Sequence, residues 1–245
     1  MPSVAMVVIG EEILTGKFAD ANGPFAIGLL RRWGSRLVRL SVVEDDVQRI
    51  ADEVRLGLSV ADLVITTGGI GPTHDDVTLE AVSVALDRPL ESRKELVTLL
   101  HKFGLPDDSA NRRMTCVPGG TTFIHDSDTS FPIFRCGRVF VFPGVPKLFQ
   151  RQLMGLNSVF GGEPFYTTHA ESMARESFVA LALVDIVRNH PNVSFGSYPR
   201  PKSEGRLTLI TLESNDKLAL MAAIEEVESC LDIASVAAIK TGGTG

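Results

Sequence analysis

Short apolar runs alternate with amphipathic stretches along most of the chain. Val4 to Ile9 is an unbroken, β-branched run closed by Gly10, and it predicts a strand buried on both faces. Pro24 to Trp33 predicts a helix. Phe25, Leu29 and Trp33 share a face with Ala26 and Leu30, Asn22 stands where an N-cap belongs, and Gly34 marks the stop. Leu37 to Val43 reads as a second strand. Val47, Ile50, Ala51, Val54 and Leu58 then recur at helical spacing. Leu63 to Thr67 is a third apolar run. After a glycine loop, Thr78 to Leu86 and Ser92 to Phe103 read as helices. Arg138 to Phe142 is a further buried strand, and a helix begins near Pro146. Strands alternating with helices imply right-handed βαβ crossovers and a mostly parallel sheet. The stretch from Asp107 to Arg135 lacks period and is expected to be loop-rich.

Gly161-Gly162-Glu163-Pro164 breaks the pattern. Beyond it come a strand near Phe165 to His169 and a helix from about Ala174 to Asn189. Strands at Ser194 to Tyr198 and Arg206 to Leu212 follow, then a helix carrying Leu220, Ile224, Val227 and Leu231. Leu207, Leu209 and Leu212 suggest a sheet with one covered face. The expected organisation is an α/β domain over residues 1–161 and a small α+β domain over 163–233. Residues 234–245 read as a tail, with no reason for order from Thr241 onward.

Composition narrows the function classes. A formal charge of −6 argues against a general nucleic-acid binder, which needs clustered Lys and Arg. It leaves room for an anionic small molecule in a locally favourable site. Cys116, Cys136 and Cys230 are odd in number and contain no CxxC pair, which argues against a disulfide framework or structural zinc. No targeting pattern or membrane-spanning run is visible, so a cytoplasmic protein without a membrane partner is expected. A homo-oligomer is left open.

The candidate chemistry gathers where strands end. Gly10 to Lys17 has the look of a P-loop, but Phe18 stands where Ser or Thr would hold magnesium, and Glu11 and Glu12 would repel a bare phosphate. No GxGxxG follows the first strand. The stronger segment runs from Thr66 through Gly68-Gly69-Ile70-Gly71-Pro72-Thr73-His74-Asp75-Asp76 to Thr78. Glycines there let backbone N–H groups approach an anion. Two aspartates beside a phosphate are contradictory unless a divalent cation bridges them. The alternative is that one aspartate caps the next helix. Glu44-Asp45-Asp46 ends the second strand at the same rim, with Asp46 a candidate cap for the helix at Val47. Pro143-Gly144-Val145-Pro146-Lys147 leaves another strand and offers a cation, or is simply a turn. His125, Asp126 and Asp128 lack ordered ligand spacing and read as a polar loop.

These segments together resemble the MoaB/Mog (molybdopterin-binding) domain superfamily. The resemblance rests on Gly10-Glu11-Glu12-Ile13-Leu14 with Gly16, Asp20-Ala21-Asn22, Val43-Glu44-Asp45-Asp46, Gly69 through Thr78, and Pro143-Gly144-Val145-Pro146. It extends through Gly196-Ser197-Tyr198-Pro199, and within the superfamily it is strongest to the N-terminal domain of eukaryotic-type FAD synthase and the first domain of CinA proteins. It implies a three-layer α/β/α domain. It also implies either molybdopterin binding and adenylylation, through aspartates matching Asp45 and Asp76, or metal-dependent hydrolysis of FAD or ADP-ribose. The chain departs from the CinA pattern near Asp128-Thr129-Ser130-Phe131-Pro132 and at Lys147-Leu148, so the CinA substrate preference is not carried over. With no room for either family's companion module, FAD synthesis and nicotinamide-mononucleotide deamidation are not expected.

The resulting expectation is a nucleotide pyrophosphatase using Mg²⁺, Mn²⁺ or Co²⁺. Asp76 and Asp45 are the catalytic candidates and, with Asp75, the metal ligands. Gly68, Gly69, Gly71, Thr73, Asn22, Gly10, Glu11, Pro143, Gly144 and Lys147 are the substrate-binding candidates. The alternatives are a molybdopterin-binding or adenylylating protein with a pterin ligand, and a catalytically silent nucleotide-binding module.

Overall fold

The computed structural model describes residues 2–106, 108–125, 131–163, 165–201, 205 and 207–242. The chain forms two compact units, one of residues 1–30 with 35–161 and the other of 31–34 with 162–245.

The first unit opens with β1 (Ser3–Ile9), α1 (Glu11–Leu14), α2 (Asn22–Arg32), β2 (Arg36–Val43), α3 (Val47–Val60) and β3 (Leu63–Thr67). It continues with α4 (Thr78–Leu86), β4 (Leu90–Ser92), α5 (Lys94–Lys102), α6 (Ser109–Arg113), β5 (Cys116–Pro118) and β6 (Thr122–Ile124). It closes with β7 (Ile133–Cys136), β8 (Val139–Phe142), α7 (Pro146–Met154) and α8 (Asn157–Phe160). Its main sheet has the order β2-β1-β3-β8-β7-β6. The first four strands run parallel, and β7 and β6 are antiparallel additions.

β1 pairs with β2 and β3 along its two edges, helices cover both faces of the sheet, and every residue from Val4 to Ile9 is buried. That is the physical content of its unbroken apolar run. One sheet face, with Ala5, Val7, Val64, Val139 and Val141, packs on Ile50 and Val54 of α3, Leu79 and Val82 of α4, and Leu96 of α5. On the other face Phe140 meets Phe160 of α8 at 4.9 Å, and Phe142 meets Phe149 of α7 at 5.3 Å between ring centroids. Phe149 also meets Phe25 of α2. Burial of each such ring contributes roughly 1.5–3 kcal/mol. The result is the three-layer α/β/α arrangement, with Asp46 capping α3 through the Arg49 N–H as its sequence position predicts.

Two expectations for this unit need correction. Asn22 does not cap α2. Asp20 does, its Oδ1 accepting the N–H groups of Asn22 at 2.9 Å and Gly23 at 3.0 Å. The stretch expected to be loop-rich instead contains α6, β5, β6 and β7. These elements are short, and β5 and β6 pair with β4 and β7, so their stability comes from partners rather than from a local period.

The second unit carries β9 (Tyr166–Ser172), α9 (Glu176–Asn189), β10 (Ser194–Pro199), β11 (Thr208–Ser214), α10 (Lys217–Cys230), β12 (Ile233–Val236) and β13 (Lys240–Thr241). The strand order is β10-β11-β9-β12, β13 also pairs with β9, and all pairings are antiparallel. Ile210, Leu212 and Ala170 pack under Val179, Leu183 and Ile186 of α9 and Leu220, Ala223 and Val227 of α10. The covered face of β11 is therefore Thr208, Ile210, Leu212 and Ser214. The expected set of Leu207, Leu209 and Leu212 mixes two parities, and Leu209 points to the opposite face because side chains alternate along a strand. Residues 233–241 are likewise not a plain tail. β12 and β13 use the free edge of β9, Val236 opposite Ala170 and Lys240 opposite Thr167.

Candidate functional site

Parallel strands present all their carboxyl ends along one edge, so the loops after β1, β2, β3 and β8 meet although they are distant in sequence. They enclose a cleft of about 1460 Å³ lined by Gly10 to Glu12, Glu44 to Asp46, Gly68 to Gly71, Thr73 to Asp76 and Pro143 to Pro146.

The glycine loop is shaped by close approach. Gly68 has φ +105°, and a Cβ there would lie 2.2 Å from the Ile9 carbonyl oxygen. Its N–H donates to the Phe142 carbonyl at 3.2 Å, and its own carbonyl accepts from the Thr78 hydroxyl at 2.8 Å. Gly68 thus belongs to the frame of the loop. Among the described residues, the N–H groups of Gly69, Ile70 and Gly71 have no hydrogen-bond partner and remain available to an anion.

Two carboxylates lie against this loop from different strands. Asp45 Oδ1 is 3.5 Å from the position a Cβ on Gly69 would take, and its Oδ2 accepts the Glu11 N–H at 2.9 Å. Asp76 Oδ2 is 2.7 Å from the corresponding position on Gly71. That oxygen accepts the Thr73 N–H at 2.8 Å and also the Thr73 hydroxyl. Burial pushes the Asp45 carboxyl above its ordinary value. The Glu11 N–H opposes this, while the charges of Glu12, Asp75 and Asp76 add to it. Asp75 is held below its ordinary value, first by the Thr73 hydroxyl, then by its own backbone N–H, with His74 and Arg113 assisting.

The other candidates are distributed unevenly. Gly10, Glu11, Thr73, Asn22, Pro143 and Gly144 line the cleft, whereas Lys147 lies exposed on α7 outside its wall. Asp126 and Asp128 fall outside the described residues. Several wall residues were not among the site candidates: Phe18, Phe103, Met114 and Phe131. Phe18 and Phe103 are 61% and 47% exposed, leaving apolar surface at the rim for a flat ring. Arg113, in the stretch expected to be loop-rich, donates to the Thr73 carbonyl at 2.7 Å and so braces the aspartate turn. A spacing rule could not have found it, because its partner is a backbone oxygen 40 positions away.

A divalent cation can be tested against this donor set. Among the described residues, no three His, Cys, Asp or Glu side chains converge as a ready cage. The carboxylates instead come singly to the edge of an anion loop. This fits a hard cation that takes one or two carboxylates and completes its shell with ligand phosphate and water. Asp45 and Asp76, with Asp75 beside them, are the side chains that could hold such a cation.

A doubly covered, mostly parallel sheet with a glycine loop and carboxylates at its carboxyl edge defines a three-layer α/β protein. The chain belongs to the MoaB/Mog-type family described as "Probable molybdopterin binding domain", which matches residues 5–158, and residues 164–240 match the "FAD synthase, middle domain". A protein of Archaeoglobus fulgidus is 30% identical over 93% of this chain and 97% of its own length. The Caenorhabditis elegans "Probable FAD synthase" is 28% identical over 94% of this chain, which spans 50% of that relative. A "CinA-like protein" of Myxococcus xanthus is 28% identical over 91% of this chain and 57% of its own. Among solved structures, the protein CinA of Thermoplasma acidophilum, described as of unknown function, matches 65% of this chain and 98% of its own, with 30% identity and a TM-score of 0.59. No helix among the described residues is long and apolar enough to cross a membrane.

Proposed function

We propose that this protein hydrolyses a nucleotide pyrophosphate of the FAD or ADP-ribose type, with Mg²⁺, Mn²⁺ or Co²⁺ bound in the cleft. The observation that carries this reading is the placement of Asp45 and Asp76 against Gly69 and Gly71, beside N–H groups that have no protein partner. A bare pyrophosphate would be repelled there, because burial and the nearby charges of Glu12, Asp75 and Asp76 already raise the cost of ionising Asp45. The same groups become favourable once a cation is shared between them and the ligand. Likeness to FAD synthases and CinA-like proteins points to nucleotide chemistry. The cleft, at about 1460 Å³, exceeds the roughly 300–1,000 Å³ of a drug-sized pocket and has room for a two-part ligand.

When bound, the cation supplies Lewis-acid polarisation of a phosphoryl oxygen. The chain's own residues do the rest. Gly69, Ile70 and Gly71 bind pyrophosphate oxygens through their N–H groups, and Thr73 holds the Asp76 carboxylate in one orientation. Arg113 fixes the Thr73 turn from behind. Phe18 and Phe103 offer apolar faces to a planar ring. Water adds across one bridging phosphorus–oxygen bond, giving AMP and a second phosphate monoester, FMN from FAD or ribose 5-phosphate from ADP-ribose. The three free cysteines are in keeping with a reducing, cytoplasmic setting.

The expected outcome is slow release of AMP from FAD or ADP-ribose with Co²⁺, Mn²⁺ or Mg²⁺, and none in excess chelator. Full activity in chelator defeats the metal mechanism. A second reading, molybdopterin binding or adenylylation, is favoured by the description of the matched family. Co-purified pterin, detected by fluorescence after oxidation, would support it. Calorimetric binding of nucleotide without any turnover would instead identify a silent binding module.

A further inference from the structure

Helix α9 is apolar nearly all round. Nine of the ten residues from Phe178 to Val187 are apolar, the exception being Asp185. A helix of that composition is normally buried on every side. The sheet accounts for only part of this one. Val179, Leu183 and Ile186 are buried, while Phe178, Leu181, Val184 and Val187 are exposed, Leu181 by 71%. Helix α10 repeats the pattern. Leu218 to Ile224 are all apolar, yet Leu218 is 77% exposed, and Met221 and Ala222 are exposed beside it. Both helices cover the same face of the sheet, and Asn189 at the end of α9 donates to Glu226 of α10 at 2.8 Å. Their outer sides therefore belong to one layer. Phe178, Leu181, Val184, Val187, Leu218 and Met221 together expose on the order of 600 Å². That is the upper end of what a monomer leaves bare, and most of the roughly 800 Å² per partner in a standard interface.

The charges around this surface narrow what fits it. A helix that lies on a membrane carries a basic rim. Here exposed Asp185, Asp216, Glu225 and Glu228 outnumber Arg175, Lys217 and Arg188. The charges of α9 are instead complementary to themselves. Arg175 and Asp185 are evenly spaced in sequence about Ala180, Glu176 and Arg188 about Ala182, and Phe178 and Val184 about Leu181. Two copies of α9 laid antiparallel about an axis at Leu181 would set Leu181 on Leu181, Phe178 on Val184, Arg175 near Asp185 and Glu176 near Arg188. Each of the unlike contacts then occurs twice, as a twofold interface requires. Within one chain Asp185 meets Arg188 at 3.4 Å, an exposed pair that contributes little and is readily exchanged.

We propose that the outer face of α9 and α10 is a homodimer interface, its occupant a second copy of this chain, with the two α9 helices antiparallel and crossing at Leu181. The inference is independent of what the cleft binds.

The test is sedimentation velocity of the full chain at micromolar concentrations and above. Wild type is expected to sediment as two chains. Leu181→Arg, which sets like charges against each other at the axis, is expected to give a monomer with an unchanged melting curve, because Leu181 is exposed in the single chain. Arg175→Glu should weaken the dimer about tenfold, and adding Asp185→Arg to the same chain should restore it, since the unlike pair is re-formed with its signs exchanged. These two changes lie at exposed positions, so they decide the matter even if Leu181→Arg does not fold. A wild-type monomer overturns the inference, and one that cosediments with phosphatidylserine vesicles assigns the face to a membrane instead. A dimer that survives Leu181→Arg, or that is not restored by the charge exchange, also overturns it.

Discussion

The two units treat buried polar groups in opposite ways. In the second unit the buried hydroxyls are paired: Thr168 donates to the Ala237 carbonyl, Ser172 to Asp232, Thr208 to Ala174 and Ser214 to Asn192. Its helix α10 is capped twice by Asp216, which accepts the N–H groups of Leu218 and Ala219. In the first unit, three buried side-chain atoms among the described residues have no partner: Asn22 Oδ1, Thr66 Oγ1 and Gln152 Oε1. The same unit gathers Glu12, Asp75 and Asp76 around Asp45, whose ionisation their charges disfavour. Of the three residues with an unpaired atom, only Asn22 lines the cleft, whereas Thr66 and Gln152 lie outside its wall.

Substitutions in each unit sharpen or break that contrast. The largest effect is expected at Asp76. Asp76→Ala should lower turnover of FAD or ADP-ribose by about a hundredfold or more, since a bound cation supplies several kcal/mol of transition-state stabilisation. The melting temperature should stay close to wild type, because the side chain is only partly buried. Unchanged turnover would take Asp76 out of the mechanism. A large drop in melting temperature would show that its main task is closing the Thr73 turn.

Leu212 provides the opposite case. It is fully buried under α9 and α10, so Leu212→Ala should cost about 2–5 kcal/mol in urea unfolding. AMP affinity, measured by titration below the unfolding transition, should not change. A parallel loss of affinity would mean that the second unit contributes to the site, and the contrast between the units would fail.

The smallest effect on stability is expected at Asp45, and its sign is unusual. Its folded-state pKa is raised, so the native state holds this proton more tightly than the unfolded chain does. The associated stability is complete below the unfolded value and is lost as pH rises through the folded one. At neutral pH the ionised Asp45 is therefore a liability. Asp45→Asn should melt slightly higher than wild type near pH 7 while losing turnover, and the gain should vanish in acid, below the ordinary aspartate range. An Asp45→Asn variant that melts lower at neutral pH would contradict the electrostatic account. Asp75 carries the opposite shift, and its contribution is present at neutral pH and fades as pH falls.

Much of the fold was legible because each main element carries a local signal. The buried strands read as β-branched runs, α3 as a helical period with Asp46 at its start, and α7 as a helix opening on Pro146. The rim location of the site followed from the rule that parallel strands share a carboxyl edge. What escaped were features whose cause lies in a distant partner. The short strands β5, β6, β12 and β13 exist through pairing with β4, β7 and β9. The parity of β11 depends on which face α9 and α10 cover.

At the site the division is finer. Sequence alone determined which residue types stand at the strand ends: glycines where the backbone must turn with positive φ, and aspartates directly after them. Composition and the order of residues suffice for that, since both act within one loop. Only the tertiary structure decided what each atom does there. It directed the Gly68 N–H to Phe142, left those of Gly69, Ile70 and Gly71 open, turned Asn22 inward toward Thr67 and Gly144, and placed Lys147 outside the wall. The reason is directional. A hydrogen bond or a charge contact is made or lost within a few tenths of an ångström, and those distances are set by packing between segments far apart in the chain.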